Sequence, residues 1–239
     1  MLSTKALAKV GFGLRRSPEW PNVLATTHRF NPPPGQNIRE DYLYAVQRYF
    51  NEESITIHEE VVLKISPAEE EKLKALLQNS SHPYQVLVCP GAAWTNKQAS
   101  FESLKILLKA LEKKYQAHFL FTWGTVEEEK LSTRLFVEVA YGQLVDKLSL
   151  PLLQNLMRHV NLVVAMDSLP LHLCGTTPTP TLSFFGPSSA SKYRPQGERH
   201  QSFEGTCPYG MRFEKRCPHL RTCPTGNCIK EISLESIEI

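Results

Sequence analysis

Two short apolar runs and what lies between them constrain this chain more than any other feature. Asn161-Leu-Val-Val-Ala-Met166 delivers the chain to Asp167, Ser168 and His172, all within six residues. After a Pro-broken segment, Thr181-Leu-Ser-Phe-Phe185 follows and ends on Gly186-Pro187. The order reads as strand, polar turn, short helix, strand. In an open parallel α/β sheet, ligands bind where the carboxyl ends of strands meet the amino ends of helices. An acid, a hydroxyl and an imidazole at that point are suited to a phosphorylated ligand.

The same alternation extends upstream. Val86-Leu-Val-Cys89 is a strand closed by Pro90-Gly91. Ala99 to Tyr115 repeats apolar residues at helical spacing through Leu104, Leu107, Leu108 and Leu111. His118 to Trp123 is a second strand, stopped by Gly124. Val126 to Ala140 returns to helical spacing, with Glu127, Glu128 and Glu129 suiting a helix amino end. Leu144 to Leu148 is a weaker strand, and Leu152 to His159 a helix opened by Pro151. Strands and helices alternating in this way make a doubly wound, largely parallel sheet. The expected Rossmann-like domain runs over 80–239.

Residues 1–79 are less regular. Asn37 to Phe50 reads as a helix and Ile55 to Ile65 as extended chain. Ser66 is an N-cap before Pro67 at the first helical position, with a helix to about Leu77. Asn79 to Pro83 makes a linker. The 239 residues hold one full core, or one domain and part of another.

A second chemical motif is Cys89-Pro-Gly-Ala-Ala-Trp-Thr-Asn-Lys97, a strand running into a polar turn with Lys97 at a helix start. Amides at a helix amino end and a nearby ammonium attract phosphate oxygens; the plainer reading is a βα turn with a solvated Lys. Glu127, Glu128 and Glu129 stand together in one first turn, and their plainer reading is as acids at a helix amino end. Asp167 can cap the short helix, and His172 can bond a backbone carbonyl.

The block from Asp167 to Pro187 resembles the donor-binding motif of glycosyltransferase family nine, the heptosyltransferase-type enzymes of the GT-B fold. That pattern is Asp-Ser/Thr-Gly-x-x-His-Leu followed by a strand and Phe-Gly-Pro. Asp167, Ser168, His172, Leu173, Phe185, Gly186 and Pro187 match it, while Leu169 stands where the family has Gly. A side chain there restricts how closely the backbone can approach a donor diphosphate. Pro90 to Lys97 is similar to the family's Pro-Gly-x-x-x-x-x-Lys segment, and Gly124 to Glu128 to its Gly-x-x-x-Glu; by that resemblance Glu128, with Glu127 as fallback, accepts bonds from ribose hydroxyls. The resemblance implies a GT-B-like α/β fold with a complete carboxyl-terminal Rossmann-like domain and a partial amino-terminal, acceptor-side domain. It implies donor binding by Thr95, Lys97, Glu128, Asp167, Ser168, Leu169 and His172.

The implied reaction is inverting transfer of a sugar from a nucleotide-diphosphate donor, ADP-heptose, to a lipopolysaccharide core acceptor. It requires no cofactor and no metal. The family's opening strand and its Gly-Asp turn, source of the proposed base, have no counterpart here, so no catalytic residue is named. An alternative is a non-catalytic nucleotide-sugar-binding remnant, or one half of a split transferase whose other half is a separate polypeptide.

Composition sets outer limits. A net charge of +3 gives no argument for nucleic acid, although Lys192 to Arg221 holds seven Lys/Arg against three Glu. That run either faces an anionic ligand or lipid, or is a solvated basic loop. No apolar run reaches the roughly 20 residues needed to cross a bilayer. A cytoplasmic location is expected, peripheral on the inner face of the bacterial inner membrane if the acceptor is as implied. Cys207, Cys217, Cys223 and Cys228, with His200 and His219 nearby, offer zinc ligands as an alternative reading of the tail, although they lack the Cys-x-x-Cys pairs of ribbons and fingers; Cys89 and Cys174 read as small buried hydrophobes.

Overall fold

The computed structural model describes residues 5–17, 20–53, 61–78 and 82–231. The chain divides into two compact units at 58/59. The boundary read from the sequence lies later, at 79/80.

The first unit contains strand β1 (Val10–Phe12), helix α1 (Trp20–Ala25), strand β2 (His28–Phe30) and helix α2 (Ile38–Phe50). The two strands pair in parallel, from Val10 opposite His28 to Phe12 opposite Phe30. Helix α2 begins where Asn37 accepts from the Arg39 amide and Glu40 reaches back to the Asn37 amide, a reciprocal cap. Phe12 stacks on Tyr42 with ring centroids 5.6 Å apart.

The second unit opens with helix α3 (Pro67–Gln78), whose Ser66 and Glu69 exchange cap bonds as the sequence implies. This helix packs on the later helix α6 (Leu150–Met157). Ser149 Oγ also donates to Glu69 Oε1, at 2.5 Å. Those contacts are why it belongs with the second unit. Residues 61–66 form no regular strand; the rest of the expected Ile55–Ile65 extended segment lies largely outside the described residues, as does most of the Asn79–Pro83 linker.

Six strands follow: β3 (Gln85–Cys89), β4 (His118–Phe121), β5 (Gly142–Leu144), β6 (Leu162–Met166), β7 (Thr181–Phe185) and β8 (His200–Glu204). They lie in the order β5-β4-β3-β6-β7-β8, every neighbouring pair parallel. The chain therefore starts in the middle, winds to one edge, returns, and winds to the other. Helices α4 (Phe101–Tyr115), α5 (Val126–Phe136) and α7 (Leu169–Cys174) make crossovers, and right-handed connection places the first two on one face and α7 on the other. Short helices α8 (Ala190–Tyr193) and α9 (Asn227–Lys230) complete the unit.

Burial explains the stability of this sheet. Residues 86–89, 119–121 and 162–166 are all buried, as strands covered on both faces must be. Leu104, Leu107, Leu108 and Leu111 of α4 have no exposure and form the stripe that covers one face. Each fully buried Leu or Phe contributes about 1.5–3 kcal/mol of transfer free energy. Two expectations need correction. The strand expected at Leu144–Leu148 is Gly142–Leu144, because the pairing with β4 uses Gly142, whose missing Cβ would lie 2.9 Å from the Phe119 carbonyl. The helix expected to reach Ala140 ends at Phe136, where the chain turns into that strand.

Candidate functional site

The switch point of a doubly wound sheet is the gap between the two central strands that wind in opposite directions. Here those are β3 and β6, and their carboxyl ends open into a cavity of about 520 Å³. All its lining residues belong to the second unit.

The floor is built from the two motifs that follow the central strands. After β3, Gly91 to Trp94 lead into a single 3-10 turn, Thr95–Lys97, that carries the Lys97 ammonium inward. After β6, the chain enters Asp167 and Ser168, and α7 begins at Leu169. Lys97 Nζ contacts Asp167 Oδ2 directly and also donates to the Asp167 carbonyl at 3.4 Å. Ser188 Oγ donates to the same carboxylate at 2.5 Å, and His172 Nε2 lies 3.6 Å from its other oxygen. Burial alone would raise the Asp167 carboxyl, but the bonds from His172, Lys97 and Ser188 outweigh it and hold the group well below the usual carboxylate range. Asp167 is thus held in its anionic form near neutral pH and is a poor base.

Glu128 forms the adjoining wall. Its Oε2 accepts from the Gly124 and Thr125 amides, at 2.7 and 3.2 Å, while Thr125 Oγ1 accepts from the Glu128 amide at 3.3 Å. The carboxylate leans over Gly91, where any Cβ would collide with it. The close approach of the Glu128 side chain from the first turn of α5, rather than a special turn, favours glycine at that position.

The expected donor-site residues are distributed as follows. Lys97, Glu128, Asp167, Ser168 and Leu169 line the cavity. His172 stands behind Asp167 and is half exposed, and Thr95 is exposed on its turn; neither contributes to the lining. Ser168 precedes α7 but makes no side-chain cap, its hydroxyl donating instead to the Met166 carbonyl at 3.2 Å. Leu169 is 53% exposed, with its side chain at the cavity edge. Pro170 has no amide hydrogen, which reduces the donors at this helix start.

Three lining cations carried no individual signal in the sequence: Lys147, Arg216 and Arg221. The two arginines belong to the basic stretch ending at Arg221, and only folding shows which members of it face the cavity. Ser188 and Arg216 form an antiparallel bridge, and the Cys217 amide donates to the Pro187 carbonyl at 2.7 Å, so the tail docks beyond the end of β7. Asn96 Nδ2 donates to the Leu220 and Cys223 carbonyls at 3.0 and 2.9 Å, tying the tail to the Lys97 turn. The Arg221 guanidinium lies 4.3 Å from the Trp94 ring centroid.

The tail cysteines are free and partly buried. Burial, with the neighbouring Cys207, Cys223 and Cys217 thiols, pushes the Cys228 thiol up to about 11. Bonds from backbone amides, first that of Gly226, draw the Cys223 thiol down. Among the described residues no three His, Cys, Asp or Glu side chains gather as a metal set. Among the same residues no helix is long and apolar enough to cross a membrane. Cys89 and Cys174 are buried, as their apolar surroundings imply.

Lipopolysaccharide heptosyltransferase 1 of Campylobacter coli is 25% identical over 164 residues, which are 63% of this chain and 46% of that one. The chain thus spans about half the length of this curated relative. Heptosyltransferase WaaC of E. coli, solved with ADP, superposes with a TM-score of 0.61 at 16% identity, over 92% of this chain and 63% of WaaC. A glycosyl transferase family 9 structure from Veillonella parvula also gives 0.61, at 14% identity, over 74% of this chain and 51% of the other. These superpositions show the α/β fold of GT-B-like heptosyltransferases. The model of glycosyltransferase family 9 (heptosyltransferase) matches residues 1–222, and the chain belongs to that family.

Proposed function

We propose that the second unit is the donor half of an inverting heptosyltransferase that takes a nucleotide-diphosphate sugar, ADP-heptose, and transfers the sugar to a lipopolysaccharide core acceptor. The observation that carries the reading is the meeting of Lys97, Glu128, Asp167 and Ser168 in one cavity at the sheet's switch point, from segments about seventy positions apart. The relative solved with ADP supports the choice of nucleotide.

The residues divide the work. Asp167, fixed by Lys97, Ser188 and His172, anchors the floor. An ammonium has three N–H donors; two of those on Lys97 go to Asp167 and its carbonyl, leaving one for a donor phosphate. Ser168 offers its backbone amide at the same level, and Glu128 presents a carboxylate oxygen toward the ribose. Thr95 and His172 act at the margin, Thr95 from its exposed turn and His172 through Asp167. In direct displacement the departing diphosphate gains charge as the bond to the sugar carbon breaks, so fixed donors favour the transition state over the ground state. The base must stand beside the acceptor hydroxyl, and Asp167, held ionised by its partners, does not fill that role. No metal or cofactor enters this scheme. The work would be done at the inner face of a bacterial inner membrane.

A second reading, a nucleotide-sugar-binding protein without transfer, is favoured by one observation: the Leu169 side chain occupies the cavity edge where the family has Gly. Titration calorimetry tests the primary reading. ADP should bind, Leu169→Gly should tighten it, and radiolabelled ADP-heptose should donate sugar to a heptose-deficient lipopolysaccharide core. Failure of ADP, UDP and GDP alike to bind would remove the donor site; binding without transfer would favour the second reading.

A further inference from the structure

The charges of the cavity are not where the motifs put them. Lys97 is buried and its ammonium is held against Asp167, so the pair presents almost no net charge to a ligand. Glu128 adds a carboxyl group bonded to two backbone amides. A diphosphate brought here would meet a neutralised floor beside a carboxylate, and would need positive charge from elsewhere.

The tail supplies it. Arg216 and Arg221 both line the cavity, and among the described residues neither has a carboxylate within ion-pairing distance. Both are positioned by aromatic rings rather than by anions: Arg221 over Trp94 at 4.3 Å, and Arg216 over Tyr193 at 4.8 Å. A guanidinium stacked on a ring keeps its edge N–H groups free for oxygen acceptors, and its planar fork matches phosphate oxygens two at a time. The backbone carrying these side chains is fixed on both sides. Cys217 N–H bonds Pro187 O beyond β7, and the Asn96 amide bonds the carbonyls of Leu220 and Cys223, on either side of Arg221. Gly226, at φ +64°, makes this close fit possible, since a Cβ there would lie 2.6 Å from Asn96 Oδ1.

We propose that Arg216 and Arg221 of the carboxyl-terminal tail are the principal cations that bind the diphosphate of the sugar donor. The Lys97–Asp167 pair then serves as the scaffold on which the tail and turn are aligned. The inference rests on the donor-site reading above and assigns a specific part of that site to residues outside the two strand-end motifs.

The test is calorimetric titration of the full chain with ADP, AMP and adenosine, for the unaltered protein, Arg216→Ala, Arg221→Ala and Arg221→Lys. Each alanine variant should weaken ADP by about tenfold or more, AMP by less, and adenosine hardly at all, because only the phosphates meet the guanidinium groups. Arg221→Lys should recover only part of the loss, since an ammonium does not reproduce the stacked fork. Unchanged circular dichroism and melting temperature confirm that the loss is local. ADP affinity equal in all four proteins overturns the inference and leaves the donor site standing. Equal weakening of ADP and adenosine also overturns it, because the arginines would then act on the nucleoside or on the cavity's shape. No binding of any nucleoside diphosphate to the unaltered protein overturns the inference together with the reading on which it rests.

Discussion

The floor of the cavity and its tail-borne wall both carry positive charge, but in opposite physical states. On the floor, Lys97 and Asp167 have side chains 9% and 4% exposed and are joined to each other. On the wall, Arg216 and Arg221 are exposed and rest on aromatic rings. A buried ion pair is costly to desolvate and more costly to break, so its value lies in holding a geometry. An exposed stacked guanidinium is cheap to keep and remains available. The comparison teaches that a buried cation can be committed to holding a structure while exposed cations lining the same cavity stay available.

The comparison is broken most severely by removing one floor partner. Lys97→Met should cost about 3 kcal/mol of stability, because Asp167 would be left buried without its cation, and urea unfolding at neutral pH measures it. Acid should act on the same pair. The folded-state pKa of Asp167 lies below its ordinary value of 3.8, so its contribution is complete above that pH and is lost as pH falls through the folded value. Unfolding free energy should therefore drop more steeply below about pH 4 for the natural protein than for Asp167→Asn; parallel slopes would show that the pair is not the source.

Smaller effects sharpen the contrast. Thr125→Ala removes the cap of α5 and half of the reciprocal bond that holds Glu128, and should cost about 1 kcal/mol, seen as a lower denaturation midpoint. Arg216→Ala and Arg221→Ala should change stability by no more than about 0.5 kcal/mol, as exposed substitutions do. A large loss in either arginine variant would place the wall in the same class as the floor.

How much of this was legible in the sequence depends on burial. Strands β6 and β7 were placed to the residue, because Leu162–Met166 and Thr181–Phe185 are buried throughout and bounded by turn residues. Strand β8 was not foreseen. His200–Glu204 is an edge strand with mixed exposure, and its His-Gln-Ser-Phe-Glu composition carries no apolar run. The edge strand β5 was displaced for a similar reason: it has three partly exposed residues, and the buried Val145 just beyond it drew the expectation forward. In the site, Asp167 and Ser168 are legible because they directly follow β6, and Lys97 because it closes the short turn after β3. Arg216 and Arg221 are not, because their position depends on the Asn96 bonds to carbonyls 124 and 127 residues away. Local pattern contains no information about a contact of that span.

Trp94, 40% exposed beneath the Arg221 guanidinium at the cavity's edge, gives the molecule an optical gauge of its own tail. Indole emission responds to a cation held against the ring and to the water that replaces it. Any event that lifts Arg221 from that ring, whether an arriving anion, a loosened tail or a rearrangement of its cysteines, would register in the emission of Trp94 without a label.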